Sequence, residues 1–201
     1  MPGEPDARSA MSVLDRTIRA CRRCPLSQHR THAVPGEGPV PCRVLFIGEA
    51  PGRREDQTGR PFMGRAGNIL SGLLVSAGLS RKVVFITSVV KCRPPSNRVP
   101  GKLEIAACRP YLEEQIALLG PECIAPMGRV ATASIFSLYD LPFPSLQEVR
   151  QREFMVRETM AGNEVIIHPV YHPAVATHDP RKRGELQGDF RALGECLRRR
   201  S

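Results

Sequence analysis

Tryptophan is absent from this 201-residue sequence, and aromatic residues of all kinds make up 5% of it. A core with so few rings must rest on aliphatic packing. Acidic residues are also scarce: 20 Asp and Glu stand against 29 Lys and Arg, giving a formal charge of +9. That imbalance favours an anionic partner, nucleic acid before an acidic membrane surface. No apolar run approaches the ~20 residues needed to span a bilayer, so no membrane role is expected. The opening MPGEPDARSA is too polar for the apolar core of a secretory signal. Phosphate-loop signatures are missing too. There is no GKS, GKT or GxGxxG, which argues against nucleotide hydrolysis and dinucleotide binding. Internal repeats and low-complexity linkers are absent. The economical reading is one domain over residues 12–201 after a disordered N-terminus, residues 1–11.

Cysteine is present in an odd number, seven, without secretory context. This points to a reducing cytoplasm and to metal or free thiols rather than disulfides. Four of them fall as Cys21-x2-Cys24, Cys92 and Cys108, with 67 and 15 residues in the two gaps. A CxxC pair presents two thiolates from one tight turn, which suits a metal ion or an iron–sulfur cluster. Four unrelated buried thiols are the plain alternative. Spacing alone does not choose zinc over [4Fe–4S], since both accept four thiolates. Cys123 reads as core, and Cys42 and Cys196 have no evident role.

The pattern of elements is α/β. VLFIGEA (44–50), VVFITSVV (83–90) and ECIAPMG (122–128) read as buried strands, with Phe154–Arg157 and Val165–Val170 as two further candidates. Helical spacing appears in residues 12–20, 66–77, 103–119, 130–136 and 183–200. Strands alternating with helices imply a parallel sheet covered on both faces.

Chemistry is expected where strands meet glycine turns. Gly48-Glu49-Ala50-Pro51-Gly52 follows the first strand directly. The stretch GEAPGRRED continues into QTGRPFMGRAG (57–67), which sets Glu49, Glu55 and Asp56 in a basic protein and Phe62 in a polar loop. Alone, this segment also reads as a solvated loop anchored by its ring. His172, in YHPA, follows a candidate strand and would share the sheet edge with Glu49. RKR (181–183) is a solvated basic face or a phosphate contact.

Taken together, the CxxC with its two later cysteines, GEAPGRRED with GRPFMGRAG, VVKCRPPSNRVP, ACRPYLEEQI and YHPA resemble family 4 uracil-DNA glycosylases. These are the iron–sulfur branch of the uracil-DNA glycosylase superfamily. The resemblance spans roughly residues 12–198. It implies a three-layer α/β/α fold around a four-stranded parallel sheet, with the pocket at the strands' C-terminal edge. It implies a structural [4Fe–4S] cluster on Cys21, Cys24, Cys92 and Cys108. It implies a monomer that acts on DNA containing uracil, cleaving the glycosidic bond to leave an abasic site.

By the same resemblance, His172 would donate to a uracil carbonyl, while Glu49 and the Ala50 backbone would lie beside the attacking water. Phe62 would stack on the extruded base at Gly48. Glu55 would flank the C5 edge, and Asn97 would stand in a loop near the site. Pro173, Ala174 and Val175 would lie in the wedge segment, with Arg181 on the DNA side. One position departs from the family pattern. Ser88 stands in ITSVVKC where the family reads asparagine, whose amide both donates to and accepts from uracil. Three outcomes follow from that change: slower uracil excision, preference for another base such as hypoxanthine or xanthine, or binding of damaged DNA with little turnover; the plain alternative is a benign substitution compensated elsewhere.

Overall fold

The computed structural model describes residues 6–157 and 164–200, without the side chain of His178. In chain order the elements are α1 (Ala7–Ala20), α2 (Leu26–His29), β1 (Val44–Gly48), α3 (Arg53–Thr58), α4 (Arg65–Ser76) and β2 (Val84–Ser88). They continue with α5 (Lys102–Leu119), β3 (Cys123–Pro126), α6 (Arg129–Leu138), α7 (Leu146–Val149) and β4 (Phe154–Arg157). The chain closes with β5 (Glu164–Ile167), α8 (Val175–His178) and α9 (Arg183–Arg198).

The sheet runs β2-β1-β3-β5-β4. Four strands are parallel, as expected, and β4 adds a fifth, antiparallel to β5 at the edge. An antiparallel edge strand on a parallel sheet is a common variant. It arises here because β4 and β5 are adjacent in sequence and need no crossover helix.

Strand periodicity builds the layers. Leu45, Ile47, Ile124, Val165 and Ile167 face one core with α1, α5 and α6. Val44, Phe46, Ala125 and Ile166 face the other with α4 and α9. The scarce rings are placed where they fill most space. Phe46 of β1 stacks on Phe190 of α9 at 5.7 Å between centroids, and a fully buried ring of that size contributes about 1.5–3 kcal/mol.

The N-terminal helix starts at Ala7, within the stretch expected to be disordered. Met11, Leu14 and Ile18 recur at helical spacing and are buried on α1. The polar first ten residues hid this, since only the Met11–Leu14–Ile18 stripe carries the burial. The expected strand from Val165 to Val170 ends at Ile167, with Val170 making a single bridge to Met127.

Candidate active site

Three strand ends converge on one cavity. Gly48 ends β1 opposite Ser88, which ends β2. The chain after β3 bridges Met127 to Val170, and two residues later comes His172. The cavity measures about 400 Å³ and is lined by Glu49, Ala50, Glu55, Phe62, Ser88, Asn97, His172 and Ala174, among others. It sits at the carboxyl ends of the parallel strands, where open α/β sheets bind ligands.

Phe62 covers one wall in an unusual backbone conformation, φ +53°. Such left-handed geometry in a bulky residue persists only where its surroundings enforce it. Three ties do so. The Arg81 guanidinium donates to the carbonyls of Pro61 and Phe62 at 2.7 and 3.1 Å. Glu55 accepts from the amides of Met63 and Gly64 through Oε1 (2.7 and 2.9 Å) and from Gly52 through Oε2 (3.0 Å). Gly67 lets helix α4 press against the loop, since a Cβ there would sit 1.7 Å from the Phe62 carbonyl oxygen. Gly48 plays the matching part on β1, where a Cβ would meet the Phe62 ring at 2.8 Å.

Gly67→Ala must therefore displace backbone rather than a side-chain tip. We expect it to lower the melting temperature by about 5 °C or more, from an overpacking cost of about 1–3 kcal/mol. It should also weaken base binding; a thermal melt and a substrate titration of the variant check both.

Glu55 lines the cavity as expected, and its three amide partners give it a second part, bracing the Phe62 loop and capping α3.

Packed against Phe62, with ring centroids 5.6 Å apart, stands His172. Its Nδ1 accepts from the Ala174 amide at 3.1 Å. The ring proton therefore resides on Nε2, leaving one N–H to donate. Burial pulls the pKa of His172 down to about 4, against the pull of Glu55. The imidazole is neutral at pH 7. Gly128, with φ +87°, admits the His172 side chain, because a Cβ there would lie 2.9 Å from the histidine Cβ. Glu49 is half-buried, and desolvation raises its pKa while Arg129 draws it down.

Beneath Ser88 lies a buried lysine that sequence reading did not flag. Lys91 Nζ donates to Thr87 Oγ1 (2.7 Å), the Ser88 carbonyl (2.7 Å) and Gln115 Oε1 (2.6 Å). Burial lowers its pKa to about 8. The network fixes the end of β2, where Ser88 is 5% exposed. Asn97, with φ +54°, accepts from Arg93 Nε at 2.7 Å through Oδ1.

The wedge residues turn inward more than expected. Pro173 is buried, and Val175 packs against the α4 and α9 core. On the four-residue α8, Ala176 is buried in that core and Val175 packs beside it. Arg181 is exposed, pairs with Asp179 at 2.9 Å, and lies outside the cavity.

Cys21, Cys24, Cys92 and Cys108 converge on a second, small cavity beside Lys91 and Arg30. All four are free thiols. Their sulfurs already accept hydrogen bonds: Arg30 on Cys92 (2.8 Å), the Lys91 amide on Cys108 (3.3 Å) and the Arg23 amide on Cys21 (3.4 Å). Among the described residues no three of these sulfurs lie within 4.8 Å of one another. Tetrahedral zinc, with Zn–S of about 2.3 Å, needs sulfurs about 3.8 Å apart. The wider spread, the N–H donors and the two nearby cations fit a polynuclear cluster with anionic ligands.

The model of the uracil DNA glycosylase superfamily matches residues 35–193, and the chain belongs to that superfamily. Within it, the chain is 43% identical over 187 residues to the type-4 uracil-DNA glycosylase of Sulfurisphaera tokodaii, covering 92% of this chain and 84% of the relative. It is 42% identical over 180 residues to the type-4 enzyme of Archaeoglobus fulgidus, covering 90% and 89%. The type-4 enzyme of Thermotoga maritima is 42% identical over 164 residues, covering 82% and 81%. The resemblance carried by the motifs is thus borne out.

Proposed function

We propose that this chain is a monofunctional uracil-DNA glycosylase that starts base-excision repair. The observation that carries the reading is the neutral His172, with a single ring N–H to give, beside Phe62 in the wall of a cavity of about 400 Å³. The C1′–N1 bond of deoxyuridine breaks with its electron pair moving to the uracil, where charge gathers on a carbonyl oxygen. His172 Nε2–H donates to that oxygen and stabilises the departing base, a term commonly among the largest in such catalysis. The sugar becomes oxocarbenium-like. Water adds at C1′ and gives its proton to Glu49, and the uracil anion takes up a proton from solvent, leaving uracil and an abasic site.

Glu49 stands beside the water, and its raised pKa makes it a better proton acceptor than an exposed carboxylate. At Ala50 only the backbone is on offer. Extruding the nucleotide costs about a few kcal/mol. Stacking on Phe62 returns roughly 1–3 kcal/mol, and the cationic surface offsets more through phosphate contacts.

We assign the [4Fe–4S] cluster to Cys21, Cys24, Cys92 and Cys108, in preference to zinc. When bound it supplies a cross-link between the N-terminal arm and the segment after β2, and takes no part in hydrolysis. The protein is proposed to act as a cytoplasmic monomer. Among the described residues no helix is long and apolar enough to cross a membrane.

Ser88 supports a second reading, altered base choice. A hydroxyl replaces two amide contacts with at most one, and a lost hydrogen bond to a buried partner costs about 1–3 kcal/mol, roughly 5- to 150-fold. Single- and double-stranded oligonucleotides carrying uracil, hypoxanthine, xanthine or thymine, followed by alkaline cleavage, test both readings. Preferential cutting at uracil, raised about tenfold or more in Ser88→Asn, is expected. Product at another base, lost in Ser88→Asn, establishes altered specificity. Tight binding without any product marks a damaged-DNA binder and overturns the enzyme reading.

A further inference from the structure

Away from both cavities, three metal-ligating groups meet. One ligand atom each from Glu153, His168 and Cys196 lies within 4.8 Å of the other two. Glu153 directly precedes β4, His168 follows β5, and Cys196 lies in the last turns of α9. His168 and Cys196 are each 1% exposed. Glu153 is exposed and opens the group to solvent.

His168 is the telling member. Neither ring nitrogen makes a hydrogen bond. Buried polar groups are almost always paired, and an orphan costs about 1–3 kcal/mol. The Asp189 backbone lies near the ring but falls short of a hydrogen bond to either nitrogen. A carbonyl near the ring, with a thiol and a carboxylate also within reach, is the environment of a metal-bound histidine. Glu153 also has an outer partner, since Arg199 donates to its Oε1. Ligating carboxylates are commonly held in this way.

We propose that Glu153, His168 and Cys196 bind one divalent transition-metal ion of the zinc class, with water completing a tetrahedron. Sulfur, nitrogen and oxygen donors together suit a borderline cation, not magnesium or calcium. One thiolate and one carboxylate balance a charge of two. The ion staples the end of α9 to the β4–β5 edge, where β4 has a single strand neighbour. It also steadies the segment that runs from His168 to His172.

The test uses the intact iron-loaded protein, washed with a chelator, titrated with Zn2+ and analysed for both metals. One zinc per chain beyond the iron is expected, with a melting temperature raised by about 5 °C at saturation. Cys196→Ser and His168→Asn should lose the zinc and the shift while keeping the iron. Co2+ in place of zinc should give thiolate-to-metal charge-transfer bands in the native protein that Cys196→Ser removes. Native protein that takes up no zinc and shows no cobalt bands overturns the proposal. So does zinc uptake unchanged in both variants.

Discussion

Replacing His172 with alanine is expected to slow single-turnover excision of uracil by about 10²–10³-fold, while DNA affinity stays nearly unchanged. Alanine removes the Nε2–H of a side chain that lines the cavity, the donor that the tautomer set by Ala174 leaves available. The loss should fall on kcat rather than KM, because the contact strengthens only as charge develops on the base. An unchanged rate would remove His172 from the mechanism.

The same residue carries a signature in stability. Its folded pKa lies near 4, while the unfolded value is about 6.5. Between these values the unfolded chain holds the extra proton, so stability rises with pH. The contribution of His172 is full above about pH 6.5 and is lost as pH falls toward 4. Melting curves across this window should show an acid sensitivity that is smaller in His172→Ala, which keeps the share of the other buried histidine, His168. Above the window the neutral ring persists, so His172 imposes no pH dependence on excision near neutrality.

Cys92→Ala is expected to abolish the cluster's colour and iron content and to reduce soluble yield sharply. Binding energy at a structural metal centre is folding energy. This thiol has a further reason to matter. Cys92 lies four residues beyond Ser88, and Arg30 ties it to the arm by donating to its sulfur and to the carbonyls of Arg19 and Cys21. Without ligation, the arm and the end of β2 lose their common anchor. Cys42→Ala is the control, since Cys42 is buried on its own outside the thiol cavity. Iron and yield both retained in Cys92→Ala would refute ligation.

Sequence alone reached the strand–glycine turns, the thiol set and the edge shared by Glu49 and His172, because each is written in local spacing. It missed whatever depends on partners far along the chain. Arg81 and Gly67 hold the Phe62 loop, yet nothing near them in sequence advertises it. Lys91 read as part of a motif, and its burial follows only from Thr87, Ser88 and Gln115 closing around it. His168 and Cys196, 28 residues apart, meet because α9 packs against the sheet. Glu55 was legible in part: glutamate three residues after Gly52 is a capping signature, and its Oε2 accepts from the Gly52 amide.

The ties on Phe62 bear on how heat and order are exchanged when a base arrives. A loop already fixed at three points has little motion left to surrender. Its conformational entropy was given up during folding, so capture of an extruded nucleotide need not freeze it again. The heat-capacity change of that capture should reflect apolar area covered rather than a loop becoming ordered. Selectivity among bases then rests on the shape of a wall that stands ready before DNA is met.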